Sequence, residues 1–188
     1  MKEVDKTSKW KTLGSRVAYE TPWLKIIEDS VITPESKKGN YSFVQTRGDA
    51  VFIVPISRDR EVYLIGQFRY PTNNYSWEVP AGNAEGQDSL EAAKRELEEE
   101  TGLLASSWEK VGSYFTANGF SSEATHLFVA RSLKETGSHK QEEEGITAVK
   151  KVKIEEFFDL VDSGEISDGQ TILAVLRALH YLGYLKKS

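Results

Sequence analysis

Apolar and polar positions change their spacing several times along this chain, and each change marks an element. Residues 1–9 are polar and predict a loose terminus. From about Trp10 to Gln45 the pattern predicts strands, with alternating segments such as Leu24 to Ile32. A turn cluster from Pro34 to Asn40 separates that segment from Tyr41-Ser42-Phe43-Val44. Ala50 to Ile56 is nearly all apolar, which predicts a central strand buried on both faces. A second strong strand is predicted at Glu61 to Arg69. Residues 70–87 predict a loop, because prolines and turn formers interrupt every period.

At Asp88 the spacing becomes helical and stays so to Thr101, with Leu90, Ala93 and Leu97 on one face. Asp88-Ser89-Leu90-Glu91 reads as a capping box, and Gly102 as the stop. Strands are expected at about 108–116, 123–131 and 146–153, then helices at about 154–163 and 169–184, parted by Gly164. The last helix carries a core-facing stripe of Ile172, Leu173, Val175, Leu176, Leu179 and Leu182. Strands and helices mix without regular β-α-β alternation. The expected class is therefore α+β or a mixed-sheet sandwich. A small β-rich part, residues 1–47, precedes the core, residues 48–188.

Composition narrows the functions open to such a fold. The chain has 188 residues, little more than one domain at about 150 residues each. It is 39% apolar and 28% charged, which excludes a disordered chain. No apolar run approaches the ~18 residues of a membrane span, and Met1 to Lys6 has no apolar segment behind its charges, so neither membrane insertion nor a signal peptide is expected. The absence of cysteine excludes disulfides, thiol nucleophiles and thiolate metal sites; it fits a reducing compartment and predicts a cytoplasmic protein. The sequons at Asn40 and Asn74 then read as chance matches. The net charge of −5 disfavours a grip on nucleic acid.

The acids are unevenly placed, bunched at Glu96–Glu100 and Glu142–Glu144. On a helix Glu96, Glu99 and Glu100 are spaced i, i+3, i+4 and lie on one face. Like charges at that spacing repel, and anions near a helix C-terminus oppose its dipole. Hard divalent cations such as Mg²⁺ or Mn²⁺ would relieve both penalties. The plainer alternative is a solvated face with Arg95–Glu99 and Lys94–Glu98 pairs.

The residues around the cluster favour the metal. Arg95-Glu96-Leu97-Glu98-Glu99-Glu100-Thr101-Gly102-Leu103, with Pro80-Ala81-Gly82 upstream, resembles the Nudix hydrolase signature G-x5-E-x7-R-E-U-x-E-E-x-G-U, where U is a bulky aliphatic. There is one departure. The segment Gly82 to Asp88 is one residue short, and Gln87 stands where the family has its first glutamate. Gln67-Phe68-Arg69, Trp77 to Gly82, Gly119 to Glu123 and Gly164 to Thr171 resemble the ADP-ribose pyrophosphatase branch. The resemblance runs over roughly residues 10–184.

That resemblance implies a Nudix-type fold and Mg²⁺-dependent hydrolysis of the diphosphate of ADP-ribose or a related nucleoside diphosphate sugar. The enzyme alternative is another nucleoside diphosphate derivative such as GDP-mannose; the non-enzymatic alternative is a nucleotide-binding sensor. It implies Glu96, Glu99 and Glu100 as metal ligands, joined by the Ala81 carbonyl. Gly82 would permit close backbone approach and Gly102 would end the helix. Arg95 would orient a catalytic carboxylate, with Glu99 sharing in catalysis, although a plain ion pair is an equal reading of Arg95. The general base would come from the acidic loop, ranked Glu144, Glu142, then Glu143. Glycine and serine nearby suit a lid. Arg69 and Arg47 would hold phosphate oxygens, Tyr41 or Phe43 would stack on the base, and Glu78 would complete the substrate site. A homodimer is implied as well. His126, His139 and His180 are scattered and read as structural, and neither a nucleophile elbow nor a Walker A pattern is present.

Overall fold

The computed structural model describes residues 7–137, 139–143 and 145–185. The chain divides into two units. One is the chain up to Arg47 together with Ala117–Glu123; the other is Gly48–Thr116 with the chain from Ala124 onward.

The first unit is an antiparallel sheet of β1 (Lys11–Glu20), β2 (Leu24–Ile32) and β3 (Lys38–Thr46), in that order. Segment 117–123 adds to it: the Val44 N–H donates to the Phe120 carbonyl at 2.8 Å, and the Ser122 N–H returns to the Val44 carbonyl at 3.1 Å. Strand β1 is exposed along its whole length, including Leu13 and Tyr19.

In the second unit the nearly all-apolar run becomes β4 (Ala50–Pro55). It lies inside a four-stranded sheet ordered β7 (Ala81–Asn83), β4, β9 (Ala124–Glu135), β8 (Leu103–Phe115). β4 runs parallel to β9 and antiparallel to β7, so the sheet is mixed. A second sheet is ordered β10 (Ile146–Lys153), β5 (Glu61–Arg69), β6 (Asn74–Glu78). Three helices complete the unit: α1 (Ser89–Thr101), α2 (Ile154–Ser163) and α3 (Gly169–Tyr181).

Period-two alternation in the buried strands divides the core. Leu127 and Val129 of β9 join Val54, Phe157, Val175 and Leu179 in a cluster with α2 and α3. Phe128 and Ala130 join Val51, Ile53, Ala93 and Leu97 in a cluster with α1. The mixed sheet therefore sits between helices, an α/β/α sandwich of the α+β class, as the Nudix resemblance implies.

Three boundaries differ from expectation. The predicted loop 70–87 contains β6 and β7. Both are short and flanked by Pro71 or Pro80, so they carry too few residues to show a period. The strand expected at 108–116 begins at Leu103, directly after the left-handed Gly102 turns the chain. The last helix stops at Tyr181, with Leu182 as cap and Gly183 at φ +71°. Among the described residues no helix is long and apolar enough to cross a membrane.

The segment Gly164 to Thr171 stitches β6 in place. The Trp77 N–H donates to the Glu165 carbonyl at 3.1 Å, and Asn74 Nδ2 donates to Ser167 Oγ at 3.2 Å. The Val79 N–H donates to Oγ1 of the fully buried Thr171 at 3.1 Å. Thr171 is itself set by Asp168, whose carboxylate caps its N–H at 2.8 Å. Replacing Thr171 by Val leaves the Val79 N–H buried without its acceptor. We expect a loss of about 1–3 kcal/mol in urea unfolding for Thr171→Val, and a smaller loss for Thr171→Ser, which keeps the oxygen.

Candidate active site

The site is built on α1. Asp88 Oδ1 accepts the N–H groups of Leu90 and Glu91 at 2.9 and 3.2 Å, forming the first half of the capping box. Glu91 does not complete the box in this structure; it pairs with Lys94 at 2.7 Å, where the plainer alternative had placed Glu98. Gly102, at φ +69°, closes the helix by donating to the Glu98 carbonyl at 2.8 Å. The missing residue between Gly82 and Asp88 is absorbed by a tight turn. Glu85 and Gly86 both have positive φ, and the Gln87 N–H donates to the Ala84 carbonyl at 2.8 Å. Two consecutive left-handed residues make this a hairpin-like I′ turn, in which a glycine is at home. Gln87 is left exposed.

Leu97 and Ala93 anchor the helix in the core, and this turns Glu96 and Glu100 toward β7. Both carboxylates are buried, at 8% and 6% exposure. Glu100 Oε2 accepts the Ala81 N–H at 2.9 Å. Glu96 abuts the backbone of Gly82 so closely that a Cβ there would overlap its carboxylate. Arg95 binds Glu96 Oε1 at 2.8 Å, Glu99 Oε2 at 3.1 Å and the Asn83 carbonyl at 3.2 Å. Lys140 reaches the other oxygen of Glu99. Its hydrogen bond, with the help of Arg95, holds the Glu99 carboxyl below its ordinary value.

Glu96, Glu99, Glu100, Arg95, Ala81 and Gly82 are thus gathered in one place. Among the described residues, no three acidic or histidine side chains converge on a single point. Glu96 and Glu99 turn instead to Arg95, which they share, Glu99 also to Lys140, and Glu100 to the Ala81 N–H. The donor set nevertheless fits a hard divalent ion. It consists of carboxylate oxygens, two of them buried, beside backbone that only a glycine lets approach.

Arg69 and Glu78 form a second constellation. Glu78 is 5% exposed and accepts two bonds from Arg69 Nε, at 3.1 and 3.2 Å, and one from Nη2 at 2.6 Å. Gln67 Nε2 adds a fourth at 3.3 Å. The bonds from Arg69 hold its guanidinium above its ordinary value, and the charges of Asp168 and Glu100 act in the same sense. Arg69 and Glu78 line a cavity of about 330 Å³ with Phe52, Ser76, Ser167 and Asp168.

The remaining expected residues belong to other segments. Tyr41 and Arg47 belong to the first unit. Tyr41 donates to the Gly119 carbonyl at 2.6 Å and meets Trp10 edge-on at 5.4 Å. Arg47 lines a cavity of about 240 Å³ with Trp23 and Gln45. Glu142 and Glu143 are exposed on the turn before β10, and Glu144 lies outside the described residues. His126 bridges Ser113 at 2.7 Å and Asp49 at 3.0 Å, while His139 and His180 are exposed. Sequence reasoning did not find Lys140, and it noted Gln67 only as part of Gln67-Phe68-Arg69, without a role. The only signal for Lys140 was a lone cation in an acidic loop, complementary to an acidic helix.

At Gly82 a Cβ has no room beside the Glu96 carboxylate. A Gly82→Ala substitution must displace Glu96 or β7, at an expected cost of about 1–3 kcal/mol in urea unfolding. In a Glu96→Ala background the same substitution should cost distinctly less, because the overlapping carboxylate is gone.

The comparisons with known proteins converge on these same elements. The model of the NUDIX domain matches residues 46–175, and that of the nucleoside diphosphate sugar hydrolase N-terminal domain matches residues 10–44. The ADP-ribose pyrophosphatase of Bacillus subtilis (strain 168) is 29% identical over 167 residues, covering 88% of this chain and 90% of that protein. The ADP-ribose pyrophosphatase of Mycobacterium tuberculosis (strain ATCC 25618 / H37Rv) is 34% identical over 174 residues, covering 91% and 83% respectively. A crystal structure of an ADP compounds hydrolase superposes with a TM-score of 0.81 over 94% of this chain and 96% of that one; at 21% identity it speaks for the fold. With the signature helix, its glycine cradle and a family match over residues 46–175 all in place, the chain belongs to the Nudix hydrolase family.

Proposed function

We propose that this chain hydrolyses the diphosphate of ADP-ribose or a related nucleoside diphosphate sugar, giving a nucleoside monophosphate and a sugar phosphate. The observation that carries the reading is the placement of Glu96 and Glu100, buried against Ala81 and Gly82, with Glu99 beside them on the same helix. The names of the relatives supply the substrate class.

In this reading Glu96, Glu99, Glu100 and the Ala81 carbonyl hold divalent ions, with Mg²⁺ the expected metal and Mn²⁺ a substitute. Bound there, such ions neutralise the diphosphate and acidify a water. The chain does the rest. Arg95 fixes Glu96 and Glu99 at their working angles through its two carboxylate bonds. Arg69, preset by Glu78, offers donors to phosphate oxygens. Glu78 is committed to Arg69 and Gln67, so its part is to orient Arg69 rather than to touch substrate. A carboxylate of the acidic loop, Glu142 or Glu144, takes the proton as water oxygen attacks phosphorus. The bridging P–O bond then breaks, and the leaving phosphate departs with the bridging oxygen. Residues 1–47 serve as a substrate-handling part, with Tyr41 stacking on the base and Arg47 on a phosphate; residues 48–188 serve as the catalytic core. Strand β1, exposed along its length, suits cover by a second copy of the chain, so the proposed working form is a homodimer; the proposed compartment, the cytoplasm, follows from the cysteine-free composition.

Three measurements test this. A turnover panel of ADP-ribose, other nucleoside diphosphate sugars and dinucleotides should show metal-dependent hydrolysis, fastest on ADP-ribose or a close relative. Glu100→Gln should lose at least ~100-fold in kcat, the scale of removing a major electrostatic stabiliser. Near-normal turnover in that variant would sink the metal assignment. By light scattering after gel filtration, the protein should have twice the chain mass, and charged substitutions at Leu13 and Tyr19 should halve it.

A further inference from the structure

Glu99 is met by a cation from outside α1. Its Oε2 takes Arg95, four residues earlier on the helix, at 3.1 Å. Its Oε1 takes the ammonium of Lys140, which comes from the turn before β10. The Lys140 backbone N–H also donates to the Glu99 carbonyl at 2.7 Å. Glu99 lies in the last turn of α1, where carbonyls lack helical partners. Lys140 is therefore placed by its main chain and delivers its charge to the carboxylate of the same residue. Both oxygens of Glu99 are occupied by organic cations.

We propose that Lys140 is a built-in counter-ion that competes with the divalent metal for Glu99 and so sets the affinity of the metal site. The inference rests on the reading of Glu99 as a ligand. A divalent ion that takes Oε1 must displace the ammonium, and the free energy of that pair is subtracted from metal binding. The subtraction is modest because the Lys140 side chain is 53% exposed and the pair is screened by water. A displaced ammonium has an acid at hand on its own turn, since the charge of Glu143 already acts on Lys140. Arg95 is not equivalent: it is shared among Glu99, Glu96 and the Asn83 carbonyl, and it can keep two of these when one oxygen is lost.

The test is Mn²⁺ titration of the full chain at low salt, followed by electron paramagnetic resonance of the free ion. Lys140→Gln should bind Mn²⁺ about three- to fivefold more tightly than the wild type, Lys140→Arg should stay within about twofold of it, and the gap should close as salt rises. In the wild type, amine-reactive labelling of Lys140, read by peptide mass spectrometry, should increase when Mn²⁺ is added. A Lys140→Gln variant that binds Mn²⁺ no more tightly, beside a Glu99→Gln variant that binds it less tightly, overturns the proposal alone. Equal binding by wild type and Glu99→Gln overturns the ligand role of Glu99, and the proposal with it.

Discussion

Three carboxylates on one face of one helix, near the end where the helix dipole is negative, are the constraint on which the rest of this structure depends. Such a face repels itself, and its burial makes the repulsion worse, because low dielectric strengthens every unscreened charge. The fold answers on each side. Arg95 and Lys140 bring positive charge to Glu96 and Glu99. The Ala81 N–H turns to Glu100. Gly82 offers bare backbone where any side chain would collide with Glu96. The same features that tolerate the acids without a metal would present them to one.

Holding that cradle requires β7, a strand of three residues with little stability of its own. Its position is inherited from both neighbours. On one side it pairs with β4, buried in the mixed sheet. On the other, the chain leading into it is fastened by the Glu165 to Thr171 stitch on β6 and Val79. The stitch also brings Asp168 beside Arg69 and Glu78, so one segment serves two constellations. Glu78 is nearly fully buried, and an unpaired carboxylate there would be costly; its multiple bonds to Arg69 and Gln67 remove that cost and orient the guanidinium.

The departure from the family signature has a local explanation. The segment between Gly82 and Asp88 has one residue fewer than the signature provides. Glu85 and Gly86 adopt left-handed conformations, the turn closes between Ala84 and Gln87, and Asp88 still caps the helix. Arg95, Glu96 and Glu100 meet β7 at Asn83, Gly82 and Ala81. Gln87 ends up exposed on the turn.

The spacing of residues alone determined that α1 exists, where it is capped, which of its faces is apolar and which is acidic. It also determined that Ala50 to Pro55 is a central strand and that helices close the chain. These features are local or strongly periodic, so a short window contains their cause. The sequence likewise pointed to Glu96, Glu99, Glu100, Ala81 and Gly82 through one contiguous signature, and the structure gathers them. Tertiary structure decided the rest. β6 and β7 are too short and too proline-flanked to show a period, and they are strands because β5 and β4 supply their partners. Glu78 became a partner of Arg69 only through the pairing of β5 with β6. Lys140, 41 residues beyond Glu99, met it only because the turn before β10 returns to the end of α1. A pair made by two such distant segments leaves no pattern in either one. The physical reason is that its energy is electrostatic and depends on distance in space, which the order of residues does not record.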